Sequence, residues 1–136
     1  MSASMQGAMA FQKGLGCVHS LSHSLGGVDP RLHHGTLNAM FLPAVVQFNA
    51  TAESMQKEKR LERMARAMGL ASGSDIADAL RDMNARLQLP AGLAAMGVMS
   101  ASFEKIILGA IADHCHMTNP RMASVEDYTG LLEQSM

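Results

Sequence analysis

Apolar residues recur along this chain at spacings of three and four, in blocks punctuated by glycine, proline, serine and aspartate. No stretch alternates with period two over the length of a strand, and no block repeats. The first block, Ser4 to about Leu25, carries Met5, Met9, Leu15, Val18 and Leu25 and predicts a helix stopped by Gly26-Gly27. Gly14 and Gly16 lie inside it, each costing about 1 kcal/mol relative to alanine. Glycine there predicts that another part of the chain approaches the backbone closely. Residues 28–34 read as a loop. The run from Thr36 to about Asn49 is apolar nearly all round, with Leu37, Ala39, Met40, Phe41, Leu42, Val45, Val46 and Phe48. Such a helix is buried on every side, and Pro43 should kink it or start a section of it.

From Thr51 to Met68 the pattern is that of a surface helix: Leu61, Met64, Ala65 and Met68 point inward, Lys57 to Arg66 supply a charged face, and Gly69 closes it. Ser72 to Asp75 offers an N-cap to a helix carrying Ile76, Leu80, Met83 and Leu87, which Leu89-Pro90 ends. Gly92 to Gly97 reads as a short connector. A further helix runs from Phe103 to about His114 with Ile106, Ile107, Leu108 and Ile111. Asn119-Pro120-Arg121 breaks the chain, and Ser124 to Asp127 forms a capping box for a last helix through Leu131 and Leu132. The expectation is an all-α domain of about six helices, bundle-like.

Composition narrows this picture. Aromatics make up only 4% while methionine reaches 13, so the core is built of Met, Ala, Leu and Val, which favour helices. A net charge of −1 with both signs interspersed leaves no basic stripe for nucleic acid. No run of about 18 apolar residues offers a membrane span, and no charged n-region precedes an apolar h-region at the N-terminus. Cys17 and Cys115 are expected to be two reduced thiols in a cytoplasmic setting.

The candidate chemistry is histidine chemistry. Four of the six histidines fall between His19 and His34. His19 and His23 are one helical turn apart on one face, and His33 and His34 stand at the mouth of the second apolar helix. Imidazoles so placed suit a metal or a catalytic pocket, but no Asp or Glu lies one turn from His19 or His23, so the set is incomplete. A second cluster, Asp113 to His116, could join Cys17 in a Cys/His zinc site; helix-end residues bonding the last carbonyls are the preferred reading. There is no Gly-x-Gly-x-x-Gly turn between strand and helix, no P-loop and no Gly-x-Ser-x-Gly elbow.

The same residues carry a resemblance. Ala10-Phe-Gln-Lys-Gly-Leu-Gly-Cys-Val-His-Ser-Leu-Ser-His-Ser-Leu-Gly-Gly27 and His34-Gly-Thr-Leu-Asn-Ala-Met-Phe-Leu-Pro43 resemble the signature of the iron-containing (group III) alcohol dehydrogenases. Phe48-Asn49, Arg63 to Gly69, Leu87 to Pro90 and Thr118 to Arg121 follow that family's later landmarks in order. The resemblance implies the C-terminal, all-helical half of a dehydroquinate-synthase-like two-domain fold, with an N-terminal domain for NAD or NADP outside residues 1–136. It implies a divalent metal, iron or zinc, held by an Asp and a His of that other domain together with His19 and His34. It makes His23 the catalytic candidate, for proton relay or substrate positioning near the nicotinamide. The usual spacing between the two later ligands would select His33; the His-Gly-x-x-Asn-Ala match selects His34. Ser24 stands where a proline is common, a departure expected to affect only a turn.

The implied partners are a small alcohol or aldehyde and the cofactor domain, with self-association through any apolar face that domain would cover. A hydroxy acid such as 4-hydroxybutyrate is the alternative substrate, and a non-enzymatic helical interaction module the alternative role. On this reading the isolated chain is catalytically inert.

Overall fold

Hydrophobic periodicity and local capping build eight α-helices and no strand in the computed structural model, which describes residues 1–136. They are α1 (Ser2–Phe11), α2 (Gly16–Val28), α3 (His34–Asn49), α4 (Glu53–Lys57), α5 (Arg60–Met68), α6 (Ile76–Arg86), α7 (Phe103–Ala112) and α8 (Val125–Gln134), with four short 3-10 turns between them. The all-α expectation holds; the helix number exceeds six because two expected helices are each divided.

The first division falls at Gly14. That residue adopts φ +103° and Gly16 φ +67°, so the chain turns sharply and separates α1 from α2. A Cβ on Gly14 would collide with the Thr118 side chain, and one on Gly16 would lie 2.6 Å from Asn119 Oδ1. The close approach expected at these glycines is therefore made by a segment about a hundred residues further along the chain. The second division falls at Lys59, whose φ of 48° splits residues 51–68 into α4 and α5.

One contiguous core joins α2, α3, α7 and α8. Cys17, Leu21 and Leu25 of α2 meet Leu37, Phe41 and Ala44 of α3, Ile106 and Ala110 of α7, and Tyr128, Leu131 and Leu132 of α8. Burial of each large aliphatic or aromatic side chain contributes about 1.5–3 kcal/mol. The inner helix is α3, in which no residue from Thr36 to Val46 is exposed. It runs unbroken through Pro43. Proline cannot donate to the Ala39 carbonyl one turn back; Asn84 Nδ2 of α6 does so instead, at 2.9 Å. A smaller cluster of Ala65, Ile76 and Leu80 attaches α5 and α6 to the outer side of α3.

Several expected inward residues face out. Met5 and Met9 are each 61% exposed, and α1 buries nothing. Met64, Met68, Met83 and Leu87 are exposed as well, because alanine and the smaller aliphatics of α5 and α6 make the contact with α3. The Ser72–Asp75 and Ser124–Asp127 capping boxes form as expected.

Ser24 lies inside α2, not in a turn, and its Oγ donates to the Ile106 carbonyl of α7 at 2.7 Å. Gly109 of α7 sits directly against Ser24, so close that a Cβ would overlap the hydroxyl. This small-residue crossing lets α2 and α7 touch. Gly109→Ala is expected to destabilise the fold by about 1–3 kcal/mol through overpacking. A lower urea midpoint at unchanged slope would show it.

Candidate metal centre

Three helices bring the site together. α2 projects His19 and His23 from one face, and His34 is the first residue of α3. Asp113 follows the last turn of α7. The His19, His23 and His34 rings lie mutually adjacent, with centroids 5.2–5.6 Å apart, and the His23 and His34 rings stack at an interplanar angle of 17°. The Phe11 edge, from the end of α1, packs on His19 with centroids 6.4 Å apart.

His33 does not join them. It is exposed, and its Nδ1 accepts the Thr36 N–H at 3.4 Å as the N-cap of α3. Of the two adjacent histidines, His34 is the one turned into the cluster.

The hydrogen-bond partners assign each ring its tautomer. The Asn38 amide nitrogen only donates, so His34 Nε2 accepts from it and the proton of the neutral ring stands on Nδ1, which donates to Ser22 Oγ at 3.3 Å while that hydroxyl donates to the His19 carbonyl at 3.2 Å. His34 therefore carries its proton on Nδ1 and presents a lone pair on Nε2. The Asn38 amide, one turn after His34, donates to His34 Nε2 at 3.0 Å and to His19 Nε2 at 3.3 Å. Two Nε2 lone pairs thus converge on one small polar group. Asn38 Oδ1 is buried without a partner, and His19 Nδ1 has only the Leu15 backbone, one turn back, beside it and makes no full hydrogen bond. Burial pushes the His19 pKa below its ordinary value, and the neighbouring His34 and His23 rings push the same way. A neutral imidazole with a free Nε2 is the form that ligates a metal. The donor set fits a divalent ion of the zinc or iron type.

His23 is tied differently. Its Nδ1 meets Asp113 Oδ2 at 3.0 Å, while Asp113 Oδ1 accepts the Cys115 N–H at 2.8 Å. Burial raises the Asp113 pKa, but the Cys115 backbone N–H, the His23 ring and the Cys115 thiol together outweigh it and hold the carboxyl below its ordinary value. Donor atoms of His23, Asp113 and Cys115 lie within 4.8 Å of one another. Burial, then Asp113 itself, pushes the Cys115 thiol up to about 11. With the thiol protonated, the trio stands as a hydrogen-bonded group.

The zinc alternative is not assembled. Cys17 and Cys115 are free and buried, and the His116 Nδ1 is engaged by the Tyr128 hydroxyl at 2.9 Å. Ser22 has no role in the sequence reading, Asn38 enters it only through the His-Gly-x-x-Asn-Ala match, and Asp113 is grouped there with His114 to His116 and not with His23. The place of Asn38 beside His34 could have been found by its helical spacing; the pairing of Asp113 with His23, ninety residues away, left no local signal. A cleft of about 490 Å³ between α3, α6 and the C-terminus is lined by Met40, Arg81, Asn84 and Met136 but by none of the histidines.

An all-helical domain that gathers three imidazoles and a carboxylate at one end is a recognisable class of protein. All 136 residues match the model of the Fe-containing alcohol dehydrogenase family, C-terminal. The chain belongs to that family. It is 61% identical over 140 aligned residues to the 4-hydroxybutyrate dehydrogenase of Cupriavidus necator, covering 100% of this chain and 37% of the relative. It is 33% identical to the NAD-dependent methanol dehydrogenase of Bacillus methanolicus, covering 97% and 35%. A solved 1,3-propanediol oxidoreductase superposes with a TM-score of 0.78 at 27% identity, over 90% of this chain and 33% of that one. The chain therefore spans about a third of the length of these relatives. No helix is long and apolar enough to cross a membrane.

Proposed function

We propose that this chain is the metal-holding helical part of an NAD(P)-dependent dehydrogenase that interconverts alcohols and aldehydes. The carrying observation is the convergence of the His19 and His34 Nε2 lone pairs on the Asn38 amide. His19 and His34 are the two ligands from this chain; an Asp and a His from an N-terminal cofactor domain complete the set. A bound divalent ion supplies Lewis acidity toward an alcohol oxygen. The chain's own residues prepare for that role. Ser22 holds the His34 ring in the tautomer that frees Nε2, as partners of ligating histidines commonly do. The α2–α3 packing fixes both rotamers. His23, beside both rings, relays the proton of the substrate hydroxyl. The free, buried Cys17 and Cys115 support a reducing, cytoplasmic setting.

A second reading of the substrate rests on the 61% identity with a 4-hydroxybutyrate dehydrogenase over the whole chain. On it, the alcohol is the hydroxyl of a short hydroxy acid. In the full-length enzyme this reading expects a higher kcat/KM for 4-hydroxybutyrate than for methanol or 1-propanol.

Zn²⁺ or Co²⁺ titration of the 136-residue chain tests the metal reading. Weak binding is expected, sensitive to both His19→Ala and His34→Ala, with no alcohol-dependent reduction of NAD or NADP. Uptake indifferent to both histidines overturns it.

A further inference from the structure

We infer that Asp113 is a positioning residue for His23, holding its proton on Nδ1 so that Nε2 is the proton-accepting atom of the site. This rests on the reading of His23 as the relay, but the tautomer itself can be read without metal, cofactor or turnover.

The geometry leaves Asp113 little choice. Its two carboxylate oxygens are each committed, Oδ1 to the Cys115 backbone N–H at 2.8 Å and Oδ2 to His23 Nδ1 at 3.0 Å. An ionised carboxylate only accepts, so the partner nitrogen of His23 must be the one that carries hydrogen. His23 Nε2 has no hydrogen-bond partner within the chain, and the ring is about one third exposed. The ring cannot easily turn over. One face stacks on His34, the His19 edge packs beside it, and His114 stacks at a centroid distance of 6.2 Å. Asp113 is in turn anchored where α7 ends: its own N–H donates to the Ala110 carbonyl at 3.4 Å, and its extended backbone carries the chain out of the helix. A carboxylate fixed to rigid backbone on one side and to an imidazole on the other selects a tautomer, as in hydrolytic triads. His34 reaches the same Nδ1–H state through Ser22 by a separate bond.

Isosteric substitution makes the inference sharp. In Asp113→Asn, the Cys115 N–H still needs an acceptor, and only the amide oxygen can provide it. The amide nitrogen must then face His23 Nδ1, and it can only donate. His23 is forced to move its proton to Nε2. The local shape is conserved while the proton-accepting atom is lost.

The experiment is ¹⁵N NMR of the imidazole nitrogens in the metal-free 136-residue chain, held well above the ordinary imidazole pKa of about 6.5 so that the rings are neutral. In the unaltered chain His23 is expected to show a protonated Nδ1 and an unprotonated Nε2. Asp113→Asn is expected to exchange the two, with His34 unchanged. Asp113→Ala, which neither accepts nor donates, is expected to give averaged shifts of a mixed population. A His23 already protonated on Nε2 in the unaltered chain overturns the inference, as does Asp113→Asn or Asp113→Ala leaving its tautomer unchanged. The unaltered chain and the alanine variant decide the matter if the asparagine variant does not fold.

In the full-length enzyme, Asp113→Asn is expected to lower kcat at least about 100-fold, the scale of a lost proton-transfer group, with KM little changed. An exchanged tautomer with unchanged kcat retains the positioning role and removes the relay from the proposed function. Loss of metal uptake on His19→Ala with an unchanged His23 spectrum bears on the metal reading alone, so the two can fail separately.

Discussion

His34→Ala is expected to weaken binding of Zn²⁺ or Co²⁺ at least about 100-fold, while His33→Ala leaves it within about twofold. The lower bound follows from the chemistry of neighbouring groups: removing only a partner of a ligating histidine costs about 10–100-fold in affinity, so removing a ligand costs at least as much as the upper end. The contrast between two adjacent histidines is what makes the measurement informative. His33 is the extended N-cap residue and His34 the first residue of α3, and that change of backbone separates a capping side chain from a ring facing His19 and His23. His33→Ala removes one long capping bond of 3.4 Å, worth no more than about 1 kcal/mol of stability. A titration in which His33→Ala abolishes uptake and His34→Ala does not would move the ligand one residue back. Ser22→Ala belongs between them. It leaves both candidate ligand nitrogens in place but frees the His34 tautomer, so affinity is expected to fall about 10-fold, with the loss seen in the same titration.

Where a property depended on neighbours within a helical turn, the amino-acid sequence showed it. The buried character of α3, the two capping boxes and the shared face of His19 and His23 all follow from spacings of three and four. Gly14 and Gly16 were readable as points of close approach, because glycine in a helical pattern is costly. What approaches them was not, since Thr118 and Asn119 come from the other end of the chain. The same limit hid the partner of Asp113. That aspartate's position at the end of an apolar helix is compatible with an ordinary helix terminus, and only the α2–α7 packing turns it toward His23. Ser24 shows the error that follows from reading a residue through its position in a motif. A departure assigned to a turn proves to be a helix-to-helix hydrogen bond against a glycine. The methionines misled for a different reason. Their hydrophobicity suits a core, yet Ala65, Ile76 and Leu80 make the contact with α3 and leave Met64 and Met68 outside, while Met5 and Met9 stand on α1, which buries nothing.

The largest single-residue effect on stability outside the apolar core is expected at Asn119. Its carboxamide has two acceptor and two donor capacities, and all four are used. Oδ1 accepts the Cys17 N–H at 3.1 Å and the Asn49 amide at 3.3 Å. Nδ2 donates to Asn49 Oδ1 at 2.7 Å and to the Arg121 carbonyl at 2.6 Å. The Cys17 N–H is one of the orphan donors at the start of α2, and the adjoining Gly16 N–H is met by Thr118 Oγ1 at 3.3 Å. One side chain thus caps the helix bearing His19 and His23 and ties it to the end of α3, the helix that begins with His34. Asn119→Ala strips partners from several part-buried polar groups at once. At about 1–3 kcal/mol for each group left without solvent or partner, with water reaching some of them, the expected loss is about 3 kcal/mol. For a domain of this size that is roughly 10 °C in Tm. Asn119→Asp separates capping from connection. It keeps the acceptor for Cys17 and adds negative charge favourable at a helix N-terminus, but it loses both donors and sets a carboxylate against the Arg121 carbonyl. It is expected to recover less than half of the stability lost in the alanine variant. Full recovery would show that capping α2 is the whole of Asn119's contribution and that the tie to α3 adds nothing. Thermal unfolding of the two variants beside the unaltered chain reads this directly. Metal titration of Asn119→Ala below its transition should then show weakened uptake, because His19 and His34 stand on the two helices that Asn119 joins.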